Sequence, residues 1–215
     1  MKLLLLLPIF FFSLNTYSSK IKHLLINENI KQEHFDIIDS KIESNFDKRS
    51  ASELISVIKS SKFPDRSRWF AGMTLVRLTG KKSLPLMRKL STHPNWLTRL
   101  LALKSLRILK QRSDVGLIEK RLYDKSALVR VEALEALSSW KVRSSGDKIW
   151  KMLFDKKNYL IRGEKKSINI EMMKRIIGAL GTIGYKDAKS PLKALKGKKA
   201  FKSIQSEIQR TVNQL

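Results

Sequence analysis

Apolar residues recur along most of the chain at spacings of three and four, which is the period of an amphipathic α-helix. A longer period is superimposed on this one, because an arginine, an alanine and a leucine each return after 31 residues in three consecutive segments. These residues are Arg68, Arg99 and Arg130, Ala71, Ala102 and Ala133, and Leu75, Leu106 and Leu137. A fixed period of this length predicts stacked helical units that bury their apolar faces against their neighbours.

Each unit of this period divides into two predicted helices joined by a polar turn. The first helices cover residues 66–79, 96–110 and 128–140, and the second helices cover 84–91, 115–123 and 148–154. Asp114 and Asp147 stand at the positions expected of N-caps for second helices. The shared alanine lets neighbouring first helices approach to about 8–10 Å. We therefore predict an all-α fold, a right-handed α-solenoid of about four helical hairpins with helical N- and C-terminal caps.

Shorter amphipathic patterns flank the repeats. Residues 19–65 are predicted to form N-terminal capping helices, the second of which opens with a capping box of Ser50 and Glu53. The repeat domain covers residues 66–215 and closes with a C-terminal capping helix over residues 200–215. Such caps shield the apolar ends of a helical stack from water.

The fourth repeat departs from the period. Aligning Leu137 with Leu180 requires a step of 43 residues and puts Met173 at the arginine position, whereas a second alignment sets Arg162 opposite Arg130. Both alignments leave a basic insertion within residues 156–169. Insertions in repeat proteins lie in loops on one face. This segment is either part of a binding surface or a tolerated surface loop.

The stretch from Asp124 to Leu137 combines an aspartate, a Val-Arg pair, an alanine and an Ala-Leu pair. This pattern resembles the HEAT-like repeat of the phycobilisome-lyase type, and residues 179–184 resemble the end of the same helix in a further repeat. The resemblance covers residues 66–199 and implies a HEAT-like fold. It implies little about function, because the family includes chromophore lyases, scaffolds and modules without known activity.

The resemblance also implies a role for the repeated arginines. In HEAT-like repeats this arginine supports packing by hydrogen bonds to the adjacent turn, often to the aspartate of the repeat. We therefore expect Arg68, Arg99 and Arg130 to be structural, the alternative being a ladder that binds an anionic polymer. His93 and Asn95 replace the aspartate before Arg99, so that repeat is expected to lack a carboxylate partner.

The formal net charge is +25, from 44 basic and 19 acidic residues, and it is unevenly distributed. Residues 20–65 are balanced, whereas residues 66–215 hold 35 basic and 11 acidic side chains. A lysine-rich proteome would make every segment of the chain basic. The neutral segment at residues 20–65 argues against that explanation. A basic repeat region attracts anionic partners over long range and speeds their encounter.

The predicted contact surface lies on the second helices, which usually line the concave face of such solenoids. There the apolar positions face the core and leave basic side chains outward. The residues expected to bind are Arg88, Lys89, Lys120, Arg121, Lys151 and Lys193. The expected partner is an acidic protein or an anionic envelope, lipid or glycan surface, and the alternative is a solvated face without a ligand.

The N-terminus predicts export. Residues 1–18 read as a signal peptide, with Lys2 before an apolar run and with the small residues Thr16 and Ser18 before a cleavage site. This predicts a periplasmic or secreted bacterial protein, and an uncleaved anchor or a buried first helix is the alternative. The chain has no cysteine, which excludes disulfides, thiolate zinc sites and cysteine nucleophiles.

No catalytic, cofactor or metal site is expected. The chain has three histidines, and His23 and His34 are about 16 Å apart along any shared helix, too far to chelate one ion. The pattern therefore favours an exported, non-catalytic binding or scaffold protein. Two alternatives stay open, a nucleic-acid-binding protein similar to HEAT-like DNA glycosylases, with Trp69 and Trp96 as stacking residues, and a lyase-type HEAT protein.

Overall fold

The computed structural model describes residues 22, 25–26, 31–162 and 165–215, and the predicted signal peptide at residues 1–18 lies outside them. The described residues form eleven α-helices, several short 3₁₀ turns and one two-stranded β-hairpin. The helices pack against their neighbours. The prediction of a helical protein is confirmed, and the hairpin is the exception to it.

The chain divides into two compact units, the first ending at Leu86 and the second beginning at Met87. The described helices of the first unit are α1 (Gln32–Ser44), α2 (Lys48–Lys59) and α3 (Asp65–Thr79), followed by a 3₁₀ turn at Gly80–Ser83. Both α1 and α2 pack on α3. Their apolar faces meet in a core that includes Ile42, Leu54, Ile58 and Leu75.

Helix α2 begins earlier than the predicted capping box. Its N-cap is Asp47, whose carboxylate accepts from the Ser50 amide at 2.7 Å and from the Ser50 hydroxyl at 2.8 Å. The bond from the backbone amide and the bond from the hydroxyl lower the pKa of Asp47. The capping box of Ser50 and Glu53 is therefore wrong, because a carboxylate three residues upstream already accepts from the free amide.

Helix α4 (Leu84–Leu90) spans the boundary, and the remaining helices belong to the second unit. They are α5 (Trp96–Ile108), α6 (Val115–Arg121), α7 (Ala127–Ser139), α8 (Gly146–Met152), α9 (Ile170–Thr182), α10 (Lys189–Lys196) and α11 (Gln205–Gln214). The first helix of each repeat packs on the next, α5 on α7 and α7 on α9, and α9 packs on α11. The second helices cover these packed first helices, with α6 packing on α7 and α8 packing on α9.

The insertion folds as a β-hairpin. Strands β1 (Tyr159–Arg162) and β2 (Lys165–Ile168) are antiparallel, with Tyr159 opposite Ile168. Helix α9 follows directly, with the Asn169 side chain accepting from the Met172 amide at 3.1 Å. Met173 is four residues after this cap, as Arg130 is four residues after Ser126. The 43-residue step is therefore correct, and the alignment of Arg162 with Arg130 is wrong because Arg162 lies in a strand.

Neither aspartate predicted to cap a second helix does so with its side chain. Asp114 precedes α6, but its carboxylate accepts from Arg88 Nε at 2.9 and 3.1 Å. Helix α8 begins at Gly146 after Ser145, so Asp147 lies inside the helix and pairs with Lys151 at 2.7 Å. In both places a basic side chain pairs with the carboxylate, whereas the sequence pattern predicted that the carboxylate would accept from a backbone amide.

Gly146 lets two repeats pack closely, because a Cβ added there would overlap the ring of Tyr185. We expect Gly146→Ala to lower the free energy of unfolding by about 1–3 kcal/mol, the usual cost of overpacking. Urea denaturation measures the change. Gly116→Ala in α6 is the matched control, since a Cβ there meets nothing within 4 Å, and we expect it to stabilise the protein by about 0.5–1 kcal/mol. Equal effects at both positions would contradict the proposed ring contact.

Candidate binding surface

The three repeated arginines are buried, with 4%, 7% and 3% of Arg68, Arg99 and Arg130 exposed. In the first unit, Arg68 Nε donates to the carbonyl of Ile58 at 3.2 Å and Nη1 donates to Asp65 at 3.2 Å. These bonds join the start of α3 to the end of α2. The guanidinium is occupied within the fold and is not presented to solvent.

Arg99 uses all three of its guanidinium nitrogens as donors. Its Nε and Nη2 donate to the two carboxylate oxygens of Asp124 at 2.8 and 2.7 Å, and Nη1 donates to the carbonyls of His93 and Pro94. The expectation that this repeat lacks a carboxylate partner is wrong, because Asp124 of the following repeat supplies it. Burial alone would raise the pKa of Asp124, but the bonds from Arg99 and from the Ser126 amide together lower it.

Arg130 binds different acceptors. Nη1 donates to the carbonyls of Asp124 and Lys125, at 2.8 and 3.1 Å, and not to the Asp124 carboxylate. Nε donates to Asn158 Oδ1 at 2.9 Å and Nη2 to the Lys157 carbonyl at 2.9 Å. Burial lowers the pKa of Arg130. This arginine therefore fixes the turn that leads into the β-hairpin.

Three exposed lysines share one position of the second helices. Lys89, Lys120 and Lys151 follow one another at the 31-residue step, each at the sixth residue of α4, α6 or α8. We call them the lysine row. The repeats of the second unit stack through their first helices, which lie about 8–10 Å apart when packed, so we expect Lys120 and Lys151 at about that interval. In α10 the equivalent position is Ala194, and the exposed Lys193 lies beside it.

The members of the row differ in their partners. Lys151 pairs with Asp147 at 2.7 Å, a bond that raises the pKa of Lys151. Both side chains are more than half exposed, and exposed pairs of this kind contribute little stability. Among the described residues no ion pair is found for Lys89, Lys120 or Lys193. The row therefore presents cations to solvent.

Arg88 and Arg121, the other two residues predicted to bind, turn towards acidic residues of the chain. Arg88 pairs with Asp114 of the following repeat and keeps 41% of its side chain exposed. Arg121 is 22% exposed, with Nη1 3.5 Å from Asp124 and a buried Nε that finds no hydrogen-bond acceptor in the described part of the chain. The structure therefore leaves Lys89, Lys120 and Lys193 open to a ligand, and Lys151 exposed but paired with Asp147.

Carboxylates of the second unit are largely neutralised by its own cations. Arg107 Nε binds the buried Glu132 at 2.6 Å, and Glu135 pairs with both Arg107 and Arg175 at 3.3 Å. Burial raises the pKa of Glu132, although the bond from Arg107 opposes this. The carboxylates paired with basic side chains are Asp114, Glu119, Asp124, Glu132, Glu135, Asp147, Glu171 and Glu207. The remaining exposed lysines therefore face solvent with few acidic neighbours.

The described histidines contact the backbone. His34 Nδ1 accepts from the Lys31 amide at 3.3 Å and His93 Nδ1 from the Asn95 amide at 3.1 Å. Across residues 31–162 and 165–215 no three histidine, cysteine or acidic side chains are grouped closely enough to hold a metal ion. Of the tryptophans named as stacking candidates, Trp69 is half-buried and Trp96 is 37% exposed.

Sequence reasoning missed a second group of cations, in the turns between first and second helices. Lys110 and Lys141 are one repeat apart, and so are Arg112 and Arg143. All four are exposed. The same 31-residue comparison that identified the buried arginines would have found these residues too.

None of the helices in the described ranges is long and apolar enough to cross a bilayer. The chain matches no protein-family model and no curated protein. The HEAT-like assignment therefore stays a prediction from the residues of the repeat.

Proposed function

We propose that this protein is a non-catalytic HEAT-like scaffold that binds an anionic partner through the lysine row and Lys193. We propose further that about four helical hairpins stack as a right-handed solenoid, exported by residues 1–18 to the periplasm or the medium. The partner is an acidic protein or an anionic component of the cell envelope. The observation that carries the proposal is the ion pairing of the second unit, which occupies most of its described carboxylates and leaves Lys89, Lys120 and Lys193 without an ion-pair partner among the described residues.

The chemistry of the row favours long-range attraction over a shaped pocket. Lysine ammonium groups are compact, strongly hydrated charges on flexible stems. Spaced at one per repeat, they add to a positive potential that raises the local concentration of anionic partners. A surface of this kind gives fast association that weakens as salt screens it.

We expect Lys89→Gln/Lys120→Gln/Lys193→Gln to weaken binding to two anionic probes, polyglutamate and vesicles rich in phosphatidylglycerol. The loss should be about ten-fold or more at low salt, because three charge contacts disappear. Titrations between about 50 and 300 mM salt, where the screening length shortens to within about 10 Å, should show a weaker salt dependence for the variant. Comparing the two probes distinguishes an acidic protein from an anionic membrane as partner.

Lys41→Gln/Lys59→Gln/Lys62→Gln is the matched control, because it removes three exposed lysines from the charge-balanced segment of residues 20–65. We expect this variant to bind both probes as the unmodified protein does. Equal losses in the two variants would show that net charge alone drives binding. An affinity that does not change with salt concentration would exclude the electrostatic mechanism.

A further inference from the structure

The first helices of the second unit end in one recurring turn. Lys110, Lys141 and Gly184 occupy equivalent places, with φ of 50°, 51° and 68°. After each of them, the next amide donates back to a carbonyl of the last helical turn, from Gln111 to Leu106, from Val142 to Leu137 and from Tyr185 to Leu180. Glycine is the usual residue at this place, because left-handed backbone strains any residue with a Cβ. Two of the three turns nevertheless carry lysine.

More cations share these turns. Arg112 and Arg143 lie two residues after the strained lysines, and Lys186 lies two residues after Gly184. The turn-edge cations are Lys110, Arg112, Lys141, Arg143 and Lys186, and all of them are exposed. Arg112 Nη2 donates to the Trp140 carbonyl at 2.8 Å, which ties one turn to the next. The cations therefore recur at the interval of packed repeats, about 8–10 Å.

Acidic residues near this edge leave most of its charge uncompensated. Asp114 is buried against Arg88, Asp147 pairs with Lys151, and Asp187 is exposed beside Lys186. A cation near a helix C-terminus is favoured by the helix dipole, but the last helical turn itself offers unstrained places for one. The dipole thus explains basic residues near the turn and does not explain lysine at its left-handed position.

The turn edge and the lysine row lie near opposite ends of the second helices. The turns precede α6, α8 and α10, whereas the row occupies the sixth residue of α4, α6 and α8, and Lys151 pairs back with Asp147 near the edge. Aromatic rings at the edge are unsuited to stacking, because Trp140 is buried and Tyr185 packs against Gly146. A nucleic-acid strand carries a charge about every 3.4 Å and is bound by stacking platforms. The edge offers wider spacing and no exposed ring among its described residues.

We infer that the turn edge binds a linear anionic polysaccharide, whose anionic groups are separated by uncharged parts of the sugar rings. This inference rests on the proposed function in one respect, that the partner is anionic. Lys110 and Lys141 supply the central charges, Arg112 and Arg143 flank them, and Lys186 extends the site into the next repeat. A glycine at either left-handed position would relieve the strain but remove the charge.

The test is Lys110→Gly/Lys141→Gly, measured with hyaluronate oligosaccharides of defined length, which carry a single carboxylate on each disaccharide. We expect binding to weaken about ten-fold, since two charge contacts are lost, while the thermal midpoint rises because the strain is relieved. Arg143→Gln/Lys186→Gln, which leaves the left-handed positions untouched, should weaken binding as well. Unchanged hyaluronate binding in both variants would overturn the inference, whatever the thermal midpoints.

Two comparisons separate this site from the lysine row. Lys89→Gln/Lys120→Gln/Lys193→Gln should bind hyaluronate within about two-fold of the unmodified protein, and the turn-edge variants should keep their binding to polyglutamate and anionic vesicles. Loss of hyaluronate binding in the lysine-row variant alone would overturn the turn-edge site. Tighter binding of a single-stranded oligonucleotide of equal charge would overturn the choice of a polysaccharide.

Discussion

Replacing Asp124 by alanine is expected to lower the free energy of unfolding by about 3–5 kcal/mol. The substitution leaves the Arg99 guanidinium buried without its carboxylate, and only the carbonyls of His93 and Pro94 remain as acceptors. Breaking a buried pair on one side costs more than replacing both partners by apolar residues. Urea denaturation followed by circular dichroism measures the loss.

Asp155→Ala is the control, because Asp155 occupies the same repeat position 31 residues later and its carboxylate accepts only the Lys157 amide in the described contacts, at 2.9 Å. We expect Asp155→Ala to lower the free energy of unfolding by about 1 kcal/mol, because that capping bond is lost. The double variant Arg99→Met/Asp124→Leu should recover much of the stability lost in Asp124→Ala. A cost below about 1 kcal/mol for Asp124→Ala would show that the pair contributes little.

The same pair predicts an acid dependence. Because the pKa of Asp124 in the folded protein lies below its ordinary value, the stabilisation is complete above about pH 4, the unfolded pKa, and is lost as pH falls through the folded pKa. Asp124→Asn should remove this part of the acid dependence. Stability curves at several pH values compare the two proteins.

Replacing Arg130 by methionine is expected to lower the free energy of unfolding by about 3 kcal/mol, because buried acceptors lose their donor at about 1–3 kcal/mol each. The acceptors in question include Asn158 Oδ1 and the Lys157 carbonyl, so the turn before the β-hairpin loses its anchor. Hydrogen exchange should therefore speed up at the amides of β1 and β2. Urea denaturation gives the global change.

Arg130→Lys separates the contribution of the charge to stability from the contribution of the hydrogen bonds. Lysine keeps the charge but cannot reproduce the planar fork of the guanidinium, so we expect it to recover less than half of the lost stability. Full recovery would mean that charge alone matters at this position. The fourth repeat supports the hydrogen-bonding interpretation. It has Met173 at the arginine position, and no aspartate or asparagine lies 25–28 residues later, where the partners of Arg99 and Arg130 are found.

The period of the sequence predicted the helices because apolar spacing alone decides which face of a helix is buried. The resemblance to HEAT-like repeats predicted a structural role for Arg68, Arg99 and Arg130. It could not predict the partner of Arg99, since the carboxylate belongs to the next repeat, 25 residues away, and only the stacking of α5 on α7 brings the two together. The four-residue strands of the hairpin were missed because they are too short for an alternating pattern to stand out.

The sequence also predicted part of the candidate site. Spacing and charge identified Lys89, Lys120 and Lys151 as outward-facing residues. Whether a basic side chain is available depends on the acids that packing brings next to it, which is why Arg88 and Arg121 differ from the lysines. At the turns, the sequence shows lysine at residues 110 and 141, but only the backbone angles reveal that these positions favour glycine.

The arginine contacts between repeats give the second unit a direction. Arg99 and Arg130 each have carbonyl acceptors just before them in the chain and a side-chain acceptor after them, Asp124 for Arg99 and Asn158 for Arg130. A ribosome delivers these segments in order, so the later acceptor emerges 25 residues after Arg99 and 28 residues after Arg130. During synthesis these two repeats therefore complete their arginine contacts only after the next segment has emerged.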